Sequence, residues 1–180
     1  MKKEILEQVE IPEGIEVSLD GGIVSVKGPQ GEIKRKFNME KLQFHREHNQ
    51  ISLGCKKATK NEKKRINALI SHLKNMVDGV SKKFEYQLKI CYSHFPITAE
   101  IKGKEIIVKN FLGERANRRI NLLDGAEVEV DKEMITVRSA NKETAGQMSA
   151  NIEKVTKVNK RDRRVFQDGI FIINKAGKEI

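Results

Sequence analysis

Two stretches of this chain repeat one another at a fixed spacing. "VSLDGGIVSVKGPQGE" at 17–32 and "AEIKGKEIIVKNFLGE" at 99–114 align at a constant offset of 82 residues, matching Gly21 with Gly103, Val26-Lys27 with Val108-Lys109, and Gly31-Glu32 with Gly113-Glu114. Such a repeat restricts the fold more than any other feature here, because each half must satisfy the same plan of strands and helices. Downstream the copies keep step: "ISLGC" at 51–55 and "ITVRS" at 135–139 each precede a helical pattern. The chain therefore reads as two tandem duplicated domains.

Within each copy apolar and polar residues alternate at period two between Gly- and Asp-containing turns, the pattern of antiparallel hairpins with one buried face. Ile15, Val17 and Leu19 run into "DGG" and Val24 and Val26 return; Ile101 runs into "KGK" and Ile106 and Val108 return. The first helix is predicted to open on a Thr59 and Glu62 capping box, to present Ile66, Leu69, Ile70, Leu73, Met76 and Val77 on one side, and to stop at Gly79. The second is predicted to open on Thr144 and Gln147 and to present Met148, Ile152 and Val155. The expected fold class is α+β, each domain an antiparallel sheet with one packed helix. The expected boundaries are 1–82 for the first domain, 83–175 for the second and 176–180 for a flexible tail. The segment 79–96 between the copies is strand-like, and the N-terminus reads as short and loose.

Several chemistries find no support. "GPQG" at 28–31 matches the GxxG of an RNA-clamping KH loop, but that loop joins two helices and this one lies between strand patterns, so a β-turn with Pro29 second is expected. "HREH" at 45–48 offers two imidazoles, His45 and His48, without an acidic or Cys partner at ligand spacing, so no metal is expected. No phosphate-binding P-loop, nucleophile elbow or H-E-x-x-H helix occurs, and no enzyme and no cofactor are expected. Cys55 and Cys91 are too few and too far from any ligand spacing for a disulfide framework or a zinc site, which fits reduced thiols in the cytoplasm. The apolar runs are only a few residues long, and Glu7, Glu10 and Glu13 break up the first of them, so neither a membrane span nor a signal-peptide core is expected.

Charge is the informative property. Thirty-five Lys and Arg against 25 Asp and Glu give a net charge of +10, a balance that gathers polyanions at the surface. No basic amphipathic segment carries the aromatic face that a membrane-surface helix needs, which favours nucleic acid. With no Trp and 5% aromatic residues, phosphate contact and shape are expected to outweigh base stacking. The charge is concentrated twice. Lys56, Lys57, Lys60, Lys63, Lys64 and Arg65 surround a helix start with Glu62 as the one offset, where cations oppose the helix dipole and read as a solvated face. Lys154, Lys157, Lys160, Arg161, Arg163 and Arg164, offset by Asp162, follow the last turn of the second helix and run into "VFQDGIFII". A basic loop pinned to core at both ends is the better site, its arginines offering planar forks to phosphates and its lysines point charges.

The turns "VSVKGPQGE" and "IIVKNFLGE", and above all "NIEKVTKVNKRDRRVFQDGIFI", resemble the large-subunit ribosomal protein six family in its archaeal and eukaryotic branch. The resemblance covers nearly the whole chain. Gln147, Lys154, Arg161 to Arg164, Phe166, Asp168-Gly169, Ile170-Phe171 and Lys175 fall where the family pattern has them. It implies a structural constituent of the large ribosomal subunit, supporting assembly and translation, whose second domain makes the main contact with ribosomal RNA near the sarcin-ricin region and the base of the factor-binding stalk. It also implies neighbouring large-subunit proteins as partners, a monomer within the ribosome and a cytoplasmic location. RNA contact carries over by resemblance to Lys154, Lys157, Lys160, Arg161, Arg163, Arg164 and Lys175. Lys109, Arg115, Arg118 and Arg119 are added from charge alone. The competing expectation is a free-standing RNA-binding architectural or chaperone protein using the same charge.

Overall fold

In the computed structural model, which describes residues 3–38, 42–47 and 50–180, the hairpin that heads each repeat forms in both copies and in the same register. Strands β2 (Glu16–Asp20) and β3 (Ile23–Gly28) pair Val17 with Val26. Strands β8 (Thr98–Lys102) and β9 (Glu105–Lys109) pair Ala99 with Val108, the same positions shifted by 82 on both strands. Val17, Val24, Val26, Ile106 and Val108 are buried as the alternation requires. Leu19 and Ile101, each one pair back from its turn, are both 37% exposed although their partners Val24 and Ile106 are buried.

The common offset ends there. Strand β4 (Gly31–Lys36) follows β3 after only Pro29 and Gln30, the expected β-turn, whereas β10 (Arg118–Asn121) follows β9 after residues 110–117, which include a 3-10 turn, Phe111–Gly113. Gly31-Glu32 therefore begins a strand, with Glu32 opposite Lys27, while Gly113-Glu114 lies in a loop. The matched letters are not equivalent positions.

The chain divides into two compact units, Met1–Lys83 and Phe84–Ile180, each α+β and wholly antiparallel. In the first, β1 (Lys3–Glu10), β6 (Gln50–Ala58) and β5 (Gln43–Glu47) form one sheet in the order β1-β6-β5, and β2-β3-β4 form another. The N-terminal segment is not loose: β1 pairs with β6 from Lys3 to Glu10 and buries Val9. Helix α1 (Lys60–Ser81) packs against β1 and β6 of one sheet and β3 and β4 of the other. All six predicted core residues, Ile66, Leu69, Ile70, Leu73, Met76 and Val77, are buried; each such burial stabilises by about 1.5–3 kcal/mol.

The capping box forms, with Glu62 Oε2 accepting the Thr59 N–H at 2.9 Å and the Thr59 hydroxyl accepting from Asn61 N–H. The helix does not stop at Gly79. It continues to Ser81, because the last turn is docked on the β3–β4 turn: Gln30 N–H donates to Val80 O at 2.9 Å, and packing offsets the roughly 1 kcal/mol that a helical glycine costs.

The second unit repeats the plan and adds to it. Strand β7 (Phe84–Cys91), drawn from the segment between the copies, takes the place of β1, and β12 (Met134–Ser139) and β11 (Glu127–Asp131) take those of β6 and β5. The second small sheet is β10-β9-β8. Helix α2 (Lys142–Val155) packs on β7, β12 and β10 and buries Met148 and Ile152, with Val155 half-buried. It starts earlier than Thr144: Asn141 is the N-cap, its side chain accepting from Glu143 N–H at 3.0 Å, as Asn at this position favours. Beyond the repeat come β13 (Gly169–Lys175), on the free edge of β7, and β14 (Lys178–Glu179). The expected tail, 176–180, instead turns at Ala176 and Gly177, with φ of 52° and 88°, and brings Glu179 and Lys178 back opposite Asn174 and Lys175.

Candidate nucleic-acid interface

Apart from Lys154, on the last turn of α2, the second basic cluster lies on residues 156–168 between α2 and β13. Both ends of this loop are tied to buried groups. At its start Thr156 is 2% exposed; its hydroxyl donates to Glu153 O at 3.2 Å and accepts the Ile170 N–H at 2.9 Å, joining the helix end to β13. Arg118 Nη1 donates to Val155 O, satisfying a carbonyl of the last helical turn.

At its end Asp168, 1% exposed, accepts from Ser93 N–H, from Ser93 Oγ at 3.0 Å, from His94 N–H at 3.4 Å and from His94 Nδ1 at 2.7 Å. Burial alone would push this carboxyl up, but the hydrogen bonds from Ser93 and His94 together hold it below the usual carboxylate range. The His94 ring stacks on Phe166 with centroids 4.7 Å apart, and the Arg161 guanidinium sits 4.7 Å from the same Phe166 centroid. A buried carboxylate thus fixes an imidazole, the imidazole a phenyl ring, and the ring an arginine.

Lys154, Lys157, Lys160 and Arg163 are exposed, and among the described residues their side chains make no hydrogen bond or ion pair. Lys160, with φ of 57°, lies where the loop reverses. Arg164 differs from these: Nε is 3.1 Å from both Asp162 oxygens and Nη2 2.8 Å from Oδ2, while Asp162 Oδ1 also accepts the Arg164 N–H. These bonds draw Asp162 below its ordinary value and raise Arg164. Both groups are open to water, so the pair contributes little to stability, but it cancels one charge of the loop. Lys154, Lys157 and Arg163, with Phe166 and Phe171, line an open groove of about 880 Å³ between α2, the loop and β13.

The remaining candidates are dispersed. Lys175 is exposed at the far end of β13, six residues from Gly169 and so about 20 Å from the loop. Arg119 is 65% exposed, 3.8 Å from Glu105, and lines a shallow groove together with Lys154. Arg115 is exposed in the loop before β10. Lys109 is paired with Glu100 at 2.7 Å, and that contact holds the Glu100 carboxyl below its usual range. Arg118 is committed internally: its Nε and Nη2 fork the Glu114 carboxylate at 2.8 and 2.5 Å, and its guanidinium lies 4.2 Å from the Phe111 centroid.

Lys56, Lys60, Lys63, Lys64 and Arg65, of the first cluster, are exposed around the start of α1. His45 is exposed on β5, and His48 lies outside the described residues. No three His, Cys, Asp or Glu side chains converge as a metal ion would require among the described residues, nor is any described helix long and apolar enough to cross a membrane.

Sequence reasoning placed the cations but not their support. Ser93 and His94 stand 75 and 74 residues from Asp168, and no local spacing announces that contact. The one available signal was the acidic residue itself, Asp168 in "QDG" at the entry to a strand.

The family model described as Ribosomal protein L6 matches residues 11–83 and again 95–169, so it too finds the chain doubled. The chain is 39% identical over 176 residues to "Large ribosomal subunit protein uL6" of Methanosarcina mazei, covering 98% of this chain and all of that protein. It is 41% identical over 171 residues to the protein of the same name from Methanobrevibacter smithii, covering 95% and 96%.

Proposed function

Because the chain belongs to the ribosomal protein L6 family, in its archaeal branch, we propose that its work is done as a fixed part of the large ribosomal subunit, with the loop 156–168 held against ribosomal RNA. It is a structural, non-enzymatic protein of cytoplasmic ribosomes. The observation that carries the RNA reading is the loop's construction: Lys157, Lys160, Arg161 and Arg163 stand on a segment anchored at Thr156 and Asp168, with Lys154 on the last turn of α2 beside it, and four of these five side chains have no partner among the described residues. Cations that make no internal pair and sit on a pinned backbone are suited to phosphates at fixed spacing, where each contact releases condensed counterions.

The mechanism is support rather than turnover. RNA folding brings phosphates close together; the loop neutralises them, and the two-sheet unit beneath holds the cations in place. The finer location, near the sarcin-ricin region and the base of the factor-binding stalk, follows the family resemblance, as do contacts with neighbouring large-subunit proteins. Arg119, beside Lys154, and Arg115 extend the same surface; Lys109 and Arg118 serve the fold first. The test is sedimentation of the protein in cell extract at physiological salt. Co-migration with the large subunit is expected, and a protein that remains with free RNA-binding proteins at the top of the gradient would overturn the reading.

A further inference from the structure

We infer that the groove between α2 and the basic loop receives one unpaired nucleotide of the bound RNA, its base against the Phe171 ring and its phosphate at Lys157 and Arg163. The inference rests on the reading that the loop faces RNA, and deepens it from a charged surface to a shaped subsite.

The groove, at about 880 Å³, lies in the range of small-molecule sites and is large enough for a nucleoside. Its lining includes the apolar Ala150, Val158 and Ile170, and Phe171, 43% exposed on its wall, has one edge of its ring over Gly169. A duplex offers no free base face to a ring inside a groove, so the occupant is a base that has left its stack. On the helix side, Gln147 Nε2 donates to Asn151 Oδ1 at 2.8 Å, which leaves the Gln147 carbonyl as an acceptor and the Asn151 amide as a donor beside each other. Base edges present the complementary donor and acceptor pair.

Charge decides between an anionic and a neutral occupant. Three cations, Lys154, Lys157 and Arg163, stand at the rim. Of the two acids that line the groove, Asp168 is consumed by Ser93 and His94, and Glu153 is half-buried with Oε1 3.5 Å from Ile172 N–H. The few aromatic residues of this chain are scarce as a composition, but this one stands where phosphate-binding groups also converge.

The experiment uses the full chain with large-subunit ribosomal RNA. Ultraviolet irradiation of the complex should give a cross-link whose protein end, found by mass spectrometry, lies within residues 165–171. Phe171→Leu, which keeps apolar bulk and loses the ring face, and Phe171→Ala should each weaken binding by roughly tenfold, the usual effect of removing one stacking contact. Phe171→Tyr should bind like the parent. The slope of affinity against salt should not change in any of the three, since no phosphate contact is lost. A complex that forms with full affinity in the Leu and Ala variants, or that cross-links only elsewhere, overturns the nucleotide subsite and leaves the RNA-facing loop standing. Failure of the parent protein to bind the RNA overturns both.

Discussion

Oδ2 of Asp168 lies 2.7 Å from Nδ1 of His94, and since an ionised carboxylate only accepts, the imidazole donates from Nδ1 and its plane is set for the stack on Phe166. Asp168→Ala would leave the Ser93 and His94 N–H groups without the buried carboxylate that accepts from them. The expected loss is about 3 kcal/mol in denaturant unfolding. The pH dependence has a definite sign. The folded carboxyl titrates below its unfolded value, so its contribution is complete above the ordinary carboxylate range, near pH 4, and is lost as pH falls through the lower folded value. Acidification from about pH 5 to 2 should therefore narrow the stability gap between parent and variant; a gap that stays constant would mean that the carboxylate charge is not what the site uses.

Arg118 separates structural from RNA-binding cations. With its fork on Glu114, its Nη1 on Val155 O and its face on Phe111, Arg118→Ala should lower stability by about 1–2 kcal/mol. The salt slope of RNA binding should not move. A slope smaller by nearly one unit would show instead that the guanidinium leaves Glu114 for a phosphate in the complex.

Periodicity exposed the elements that are periodic. The α1 core, from Ile66 to Val77, and the two hairpins in a common register could be read because side-chain burial in a regular helix or strand is a local property of spacing. Strand β1 could not, since Leu6 lies 59% exposed three residues before buried Val9, and Glu7 and Gln8 between them hide the alternation. Its place comes from pairing with β6, some fifty residues away. Likewise Gly79 carries a helix-stop signal that loses to packing against the β3–β4 turn, and the tail reads as loose because a two-residue strand is fixed by its partner, not by its own pattern. At the candidate interface the charges were legible one by one. Which of them the fold keeps for itself was not, because Arg118, although only four residues from Glu114, meets Val155 only when α2 packs near β10.

Gly28 tests the docking of the hairpin on α1. A Cβ there would stand 2.9 Å from Val80 Cγ2 and 3.1 Å from Val80 O, so Gly28→Ala should destabilise the first unit by about 1–3 kcal/mol through overpacking. Adding Val80→Ala should recover part of that loss and leave the backbone part, a coupling that a double-mutant cycle measures. Additive losses would place the two groups out of contact.

The sharpest comparison is between the two basic clusters, since each carries six cations and one acid. Replacing Lys157, Arg161, Arg163 and Arg164 by Ala should weaken binding to large-subunit RNA far more than replacing Lys56, Lys57, Lys63 and Lys64, although four charges are removed in each case. About five phosphate contacts give a slope of log affinity against log salt near −4, at roughly 0.7–0.9 per contact, and on the order of two decades lost between about 50 and 200 mM salt. The loop variant should flatten that slope by roughly 2–3 units, for three phosphate contacts rather than four, because Arg164 is already paired with Asp162 and its loss subtracts a contact made within the protein. Restoring Arg164 alone in the Ala background should then change the slope little, whereas restoring Arg163 should return nearly one unit. Equal losses from the two clusters would mean that net charge, not a placed loop, does the binding, and an unchanged slope in the loop variant would put these side chains away from phosphate.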